Sequence, residues 1–267
     1  MIELNKIYNE NCLDTMAKMP DCFVDLVVTS PPYDDLRNYK GFAFDVKEIS
    51  EQLYRIMKIG GVVVWVVGDA TKNGCESGTS FRQALAFIDA GFNLSDTMIF
   101  EKKNPLPTDK TYRYYQCFEF MFVFSKGQPK TFNPLTEPTT GIRKTYKSSW
   151  GRDIDDKMII STGKQRTVAD EKIRRNIWEY GISLNVATTD KIAFEHPAIF
   201  PEQLAEDHIL SWSNEGDVVY DCFGGSGTTA KMAHKNKRNW ILSEISIEYA
   251  AIAEKRIAPY LAQTSLF

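Results

Sequence analysis

The chain has 267 residues, 43% of them hydrophobic and 25% charged, with a formal net charge of −3. That suffices for one large globular domain, or one domain with an insert, and excludes a disordered or fibrous chain. No apolar run reaches bilayer-spanning length, Met1–Lys6 has no signal-peptide pattern, the five cysteines (Cys12, Cys22, Cys75, Cys117 and Cys222) form no CxxC pair, and His196, His208 and His234 lack metal-ligand spacing. The expectation is a reduced, cytoplasmic protein with no metal site and no membrane partner.

In chain order, Ile7-Tyr8 reads as a short strand and Cys12 to about Ala17 as a helix. Val24-Asp25-Leu26-Val27-Val28-Thr29 is a β-branched, apolar run of strand type. Ser30-Pro31-Pro32-Tyr33 stops it, because proline cannot donate to a ladder and fixes φ. Ser30 offers a hydroxyl, Pro31 a carbonyl and Tyr33 a flat ring. Such a bracket of acceptors suits a planar group bearing an exocyclic amine; the alternative is a plain strand cap with a Pro-Pro turn. Asp34 to Gly41 reads as a mobile loop over a site. Asp45 to Lys58 has helical periodicity, and Gly60-Gly61 is expected to stop it. Val62 to Val67 is an unbroken apolar run, the mark of a strand covered on both faces. Gly68-Asp69 ends that run, with Asp69 either lining a cleft or making a turn. A helix over Ser80–Ala90 and strands over Leu94–Glu101 and Phe118–Phe124 follow. Strand and helix alternate, so an α/β sheet with helices on both faces is expected, with ligands at the carboxyl ends of its strands.

From Gln128 to about Glu195 the pattern dissolves into a basic, aromatic-bearing insert. Residues 101–175 hold 16 Lys+Arg against 9 Asp+Glu, while the remainder holds 16 against 26. A local positive surface on an acidic chain suits a nucleic-acid backbone; the other reading is an ordinary solvated loop. Pro201 to about Trp212 reads as a helix. Asp217 to Asp221 reads as a strand running into Cys222-Phe223-Gly224-Gly225-Ser226-Gly227-Thr228-Thr229, a glycine-rich turn that lets backbone approach a ligand and opens a helix over Ala230–Lys235. Trp240–Ser243 is a strand that ends at Glu244, an acceptor for ribose hydroxyls, and Ile247–Ile257 is a closing helix. The turn also fits the dinucleotide fingerprint GxGxx(G/A), the mark of an NAD-binding oxidoreductase. About forty residues follow Gly227, too few for the strands a dinucleotide-binding half requires. No Gly-Lys-Ser/Thr follows the turn, which excludes a P-loop.

Taken together and in this order, these segments resemble the β class of amino-directed DNA methyltransferases, whose motifs are permuted. Thr29-Ser30-Pro31-Pro32-Tyr33 matches the catalytic motif and Asp221–Thr229 the S-adenosylmethionine motif, with Cys222 in place of its usual proline. His196-Pro197-Ala198-Ile199-Phe200-Pro201 resembles the motif just upstream, and Glu244 with Tyr249, Ala250 and Arg256-Ile257 the ribose-binding strand and its helix. Lys58-Ile59-Gly60-Gly61 and Phe122–Gly127 match framework segments. Asn11, before Cys12-Leu13, stands where relatives carry an adenine-facing Asp.

The resemblance implies a Rossmann-like methyltransferase fold with a mixed, mostly parallel sheet. It divides the chain into a catalytic half (1–127), a target-recognition insert (128–195) and a cofactor-binding half (196–267). Strands near Val27 and Val219 are expected side by side. The implied activity is methyl transfer from S-adenosylmethionine to an exocyclic base amine in double-stranded DNA. The implied catalytic residues are Ser30, Pro31, Pro32 and Tyr33. The implied cofactor residues are Asn11, Cys12, Thr29, Phe200, Asp221, Phe223, Gly224, Gly225, Ser226, Gly227, Thr228 and Glu244. Candidate DNA contacts are Arg37, Asn38, Tyr39, Arg143, Lys144, Lys147, Arg174 and Arg175. In the family a Ser at position 30 goes mostly with cytosine N4 and an Asp with adenine N6, so cytosine N4 is the expected target and adenine N6 the alternative. Cytosine C5 chemistry requires a cysteine nucleophile, commonly after a proline, and no cysteine here follows one. Candidate protein partners are a cognate restriction endonuclease and a second copy of the chain. Two other readings are a non-catalytic DNA-binding module and a methyltransferase for RNA or a protein side-chain amide.

Overall fold

A computed structural model describes residues 2–32, 44–105, 113–139, 145–147, 151–152, 157–159, 165–167, 169–183 and 185–264; for 145–147, 151–152, 158–159, 165–167 and 263–264 it describes the backbone alone. Two compact units emerge, Met1–Asn133 with Asn176–Phe267, and Pro134–Arg175.

The larger unit carries an eight-stranded sheet of β1 (Lys6–Tyr8), β2 (Val24–Thr29), β3 (Met57–Val67), β4 (Asn93–Lys102), β5 (Phe118–Ser125), β6 (Ile177–Tyr180), β7 (Val218–Asp221) and β8 (Asn239–Ser243). Its spatial order is β1-β8-β7-β2-β3-β5-β4-β6, and only β5 runs against its neighbours. The helices are α1 (Cys12–Ala17), α2 (Val46–Ile56), α3 (Thr79–Asp89), α4 (Glu202–Trp212), α5 (Thr228–Lys235) and α6 (Ile247–Thr264). Val62 to Val67 are all buried, as an unbroken apolar strand must be when both faces are covered. Ile49 and Leu53 of α2, Phe87 of α3 and Phe124 of β5 pack with Val24 and Val27 in the main core. Asp45 starts α2 by accepting the Lys47 amide at 2.9 Å, an N-cap that satisfies an otherwise orphaned donor.

Three expectations are corrected. α2 stops at Ile56, and Gly60-Gly61 lie inside β3 rather than ending a helix. The ladder to β2 shifts between Val24 and Leu26; there Gly60 has φ +82°, and a Cβ on it would come within 2.6 Å of Lys130 Cβ. Met57 is buried as a strand residue, which let the helical period run on too far. Secondly, 128–195 is not wholly irregular: β6 joins the sheet edge beside β4, and Lys191–Glu195 forms a 3-10 turn. Trp178 and Tyr180 are buried while Ile177 and Glu179 are exposed, a two-residue alternation short enough to hide in a polar stretch. Thirdly, α6 runs past Ile257 to Thr264, through Pro259.

Within the smaller unit, Thr136–Pro138 pairs with Glu171–Ile173, Thr145–Lys147 with Gln165–Thr167, and Gly151–Arg152 with Met158–Ile159, all antiparallel. These are three separate two-stranded sheets among the described residues. No helix among the described residues is long and apolar enough to cross a membrane.

Candidate active site

β2 and β7 lie side by side and parallel, with Leu26 opposite Val219 and Val27 opposite Tyr220. Their carboxyl ends therefore open on the same edge. Thr29, the last residue of β2, donates its hydroxyl to Asp221 Oδ1 at 2.6 Å. Thr229 Oγ1 donates to the Val28 carbonyl at 3.1 Å, a second tie between the two halves. Burial pushes the Asp221 carboxyl up to about 6, against the lowering effect of the Thr29 hydroxyl and the Phe223 amide. Cys222 is buried, and burial raises its thiol well above the usual range. It is thus a packing residue.

The glycine turn is tightly held. The Gly224 amide donates to the Ser243 carbonyl at 2.8 Å, and a Cβ at Gly224 would run into the Leu242 side chain. Gly225 has φ +49°, a left-handed conformation that glycine adopts without a Cβ penalty. Its amide donates to Glu244 Oε2 at 2.8 Å, and the Ser246 amide donates to Oε1 at 2.8 Å. Burial raises the Glu244 carboxyl, and these amides offset part of the shift. A carboxylate offers about four lone-pair sites, so Glu244 keeps acceptor capacity for hydroxyls. Beneath the turn, Arg256 donates to the Ser226 carbonyl (3.1 Å), to Thr228 Oγ1 (2.8 Å) and to Glu202 (2.5 Å). Lys231 bridges Asp190 and Glu202, each at 2.7 Å. Two cations and two carboxylates thus lock the turn to α4, α5 and α6.

Above the strand ends is a cavity of about 440 Å³, within the range typical of small-molecule sites. Ser30 and Pro32 line it from β2, and Asp221, Phe223, Gly224, Gly225, Ser226 and Thr228 from β7 and its turn. Phe200 and His196 complete that side. His196 is fixed by its Nδ1, 2.8 Å from the Ala198 carbonyl, and by an edge contact with Tyr249. Phe223 is wedged against Trp65 and Phe44, with centroids 5.9 and 5.1 Å away.

Other expected residues lie elsewhere. Pro31 is buried and, with Thr29 and Gly227, does not line the cavity. Glu244 reaches it only through the Gly225 amide. Asn11 caps α1, accepting the Leu13 amide at 2.9 Å. Cys12 belongs to the core, its thiol pushed up to about 12 by burial. Asp69 takes the turn role: its carboxylate accepts from the Ser77 hydroxyl and from the Ser80 amide and hydroxyl. Arg174 and Arg175 belong to the smaller unit, Arg175 being exposed. Tyr33, the Asp34–Gly41 loop with Arg37, Asn38 and Tyr39, and also Arg143 and Lys144, lie outside the described residues, as does the Lys147 side chain. Sequence reasoning missed Lys102 and Glu119, which also line the cavity. The available signal was a lysine closing one strand and a glutamate standing second in the next.

The residues fit a nucleoside-bearing donor. A left-handed glycine turn, a helix N-terminus and two aromatic rings, Phe223 and Phe200, converge on one cavity edge, with Glu244 behind the turn. The family model described as DNA methylase matches residues 24–255. The chain belongs to this DNA methylase family. Over 243 residues it is 55% identical to the orphan methyltransferase M.BamHII of Bacillus amyloliquefaciens, covering 90% of this chain and 91% of that one. It is 28% identical over 260 residues to the type II methyltransferase M.BglII of Bacillus subtilis, covering 94% of this chain and 68% of that one. Among solved structures, the PvuII DNA methyltransferase (cytosine-N4-specific) shares the fold at TM-score 0.68 and 22% identity, covering 97% of this chain and 91% of that one. The M1.HpyAVI–SAM complex does so at TM-score 0.61 and 22% identity, covering 94% and 98%. As a family member this DNA methylase is an amino-methyltransferase that uses S-adenosylmethionine.

Proposed function

We propose that the cavity joins the two reactants and that the methylated atom is the exocyclic N4 of cytosine in double-stranded DNA. The observation that carries this reading is that Ser30 and Gly225, almost 200 positions apart, line one cavity at the ends of adjacent strands. When bound, S-adenosylmethionine supplies an electrophilic sulfonium methyl. Gly224, Gly225 and Ser226 would hold the nucleoside part, with Phe223 and Phe200 as apolar walls and Glu244 fixing the Gly225 amide behind the turn.

An exocyclic amine is a poor nucleophile because its lone pair is delocalised into the ring. The Ser30 hydroxyl, on the cavity wall, would accept one of its N–H groups, favour pyramidal nitrogen and aim the lone pair. The rest is positioning, which supplies several kcal/mol. The base must leave the duplex, at a cost of roughly a few kcal/mol, and stacking on Tyr33 would return about 1–3. A serine hydroxyl at position 30, and the fold shared with an enzyme named as cytosine-N4-specific, support N4 over adenine N6. Arg174, Arg175 and Lys147 would meet phosphates. The name orphan methyltransferase, carried by the 55% identical relative, supports action without a companion endonuclease. The test is to express the protein, digest the cell's DNA and identify modified nucleosides by mass. N4-methylcytosine is expected, and N6-methyladenine would overturn the choice of base.

A further inference from the structure

Two charged side chains on the cavity wall remain unexplained by the motifs. Lys102 closes β4 and Glu119 stands second in β5, and Lys102 Nζ lies 2.7 Å from Glu119 Oε1. Their side chains are only 20% and 12% exposed, and both line the cavity that holds Ser30 and Pro32. Enclosing an ion pair costs desolvation that its own attraction barely repays, so fold stability alone does not account for it. The sheet order puts β5 two strands and β4 three strands from β2. At the usual spacing these are roughly 10 and 14 Å, room for a planar base with side chains reaching in from both sides.

The donor and acceptor balance says what the pair is for. With Ser30 Oγ accepting from the amine of an amino base, the one hydroxyl proton of Ser30 is the single donor it offers. Next to that amine the base carries a ring-nitrogen acceptor, N3 in cytosine or N1 in adenine, and cytosine adds the O2 carbonyl. A flipped base is read along this edge, and a buried acceptor left unmatched is penalised. An ammonium has three donors; Glu119 takes one and directs the others. Phe100 and Ile182, which line the cavity nearby, offer apolar surface to the ring.

We propose that Lys102, aimed by Glu119, donates to the ring-acceptor edge of the flipped amino base whose amine meets Ser30. This rests on the proposed base-flipping reaction but not on which amino base is the target. Lys102 is then a base-reading residue and Glu119 its positioning residue.

The experiment uses the full chain and a duplex of the sequence the wild type methylates, with the target base either normal or lacking the ring acceptor. That analogue is 3-deazacytosine for a cytosine product and 1-deazaadenine for an adenine product, so an error about the base does not disturb the test. Single-turnover methylation rates and S-adenosylmethionine affinity are measured for wild type, Lys102→Met, Lys102→Gln and Glu119→Gln. The wild type should lose about tenfold or more on the analogue, as sites built to bond a polar group do when it is missing. Lys102→Met should bind S-adenosylmethionine within about twofold of wild type, lose about tenfold on the normal base and lose little more on the analogue, because the two changes remove one contact. Glu119→Gln should shrink the analogue penalty, which a merely structural carboxylate would leave intact. A wild type indifferent to the analogue overturns the proposal, and that arm needs no variant to fold. Losses that multiply in Lys102→Met, or in Lys102→Gln should the former fail to fold, overturn it as well.

Discussion

Thr29 Oγ1 donates to Asp221 Oδ1 at 2.6 Å across 192 positions of sequence. One short bond therefore joins the strand that delivers Ser30 to the strand that delivers the glycine turn. Burial holds the Asp221 carboxyl at about 6, above its ordinary 3.8. A folded-state value raised in this way makes the folded protein bind the proton more tightly than the unfolded chain. Stability from this group is thus greatest below about pH 4, declines as pH rises towards 6 and is level above that, a change of roughly 3 kcal/mol. Asp221→Asn should remove that slope. Urea unfolding of both proteins between pH 4 and 8 checks it, through the difference between their stability curves.

Asp190 and Glu202, the carboxylates around Arg256, should behave in the opposite sense. Burial pushes the Asp190 and Glu202 carboxyls up, but Lys231 and Arg256 outweigh it and hold both below their ordinary values. Their stabilisation is present above the unfolded values near pH 4 and is lost as pH falls through the lower folded ones. Arg256→Met leaves buried carboxylate partly uncompensated and should cost about 3–5 kcal/mol. It also releases the Ser226 carbonyl, so calorimetry should show weaker S-adenosylmethionine binding in whatever fraction folds.

Ser30→Ala removes the cavity-lining acceptor proposed for the amine. Turnover should fall by about 10²-fold or more, as when a single positioned hydrogen-bonding group is deleted from an active site. Cofactor affinity should stay near that of wild type, because the role proposed for Ser30 is towards the amine and not towards the cofactor. Rapid-quench methylation beside equilibrium cofactor binding separates the two quantities. Wild-type turnover in Ser30→Ala would remove the bracket from the mechanism.

Arg175 is exposed on the smaller unit. If it meets a phosphate, Arg175→Ala should weaken binding to all DNA sequences alike and lower the slope of log affinity against log salt by about 1. Binding titrations from 50 to 200 mM salt, run on methylated and unrelated duplexes, read both effects. A variant whose loss depends on sequence would mark a base contact instead.

Much of the fold was legible because its signals are local. The Val62–Val67 run could only be a strand covered on both faces, and Ser30-Pro31-Pro32 could only end one. The glycine turn between Asp221 and Thr229 declared itself through residues that admit close backbone approach. What escaped had short or ambiguous periods. β6 has four residues, and Trp178 and Tyr180 alternate with exposed neighbours for one cycle only. Met57 satisfied both a helical and a strand pattern, and Asp69 was compatible with either a cleft or a turn until its oxygens met Ser77 and Ser80.

By itself the amino-acid order determined the types of the elements, the order of the motifs and hence the chemical class, since each depends on neighbours within a few positions. Tertiary structure alone decided that Thr29 touches Asp221, that Arg256 grips the glycine turn from below, and that Lys102 and Glu119 share a wall with Ser30. Those relations are set by how parallel strands line up across the sheet, and strand pairing over such separations leaves no period in the sequence.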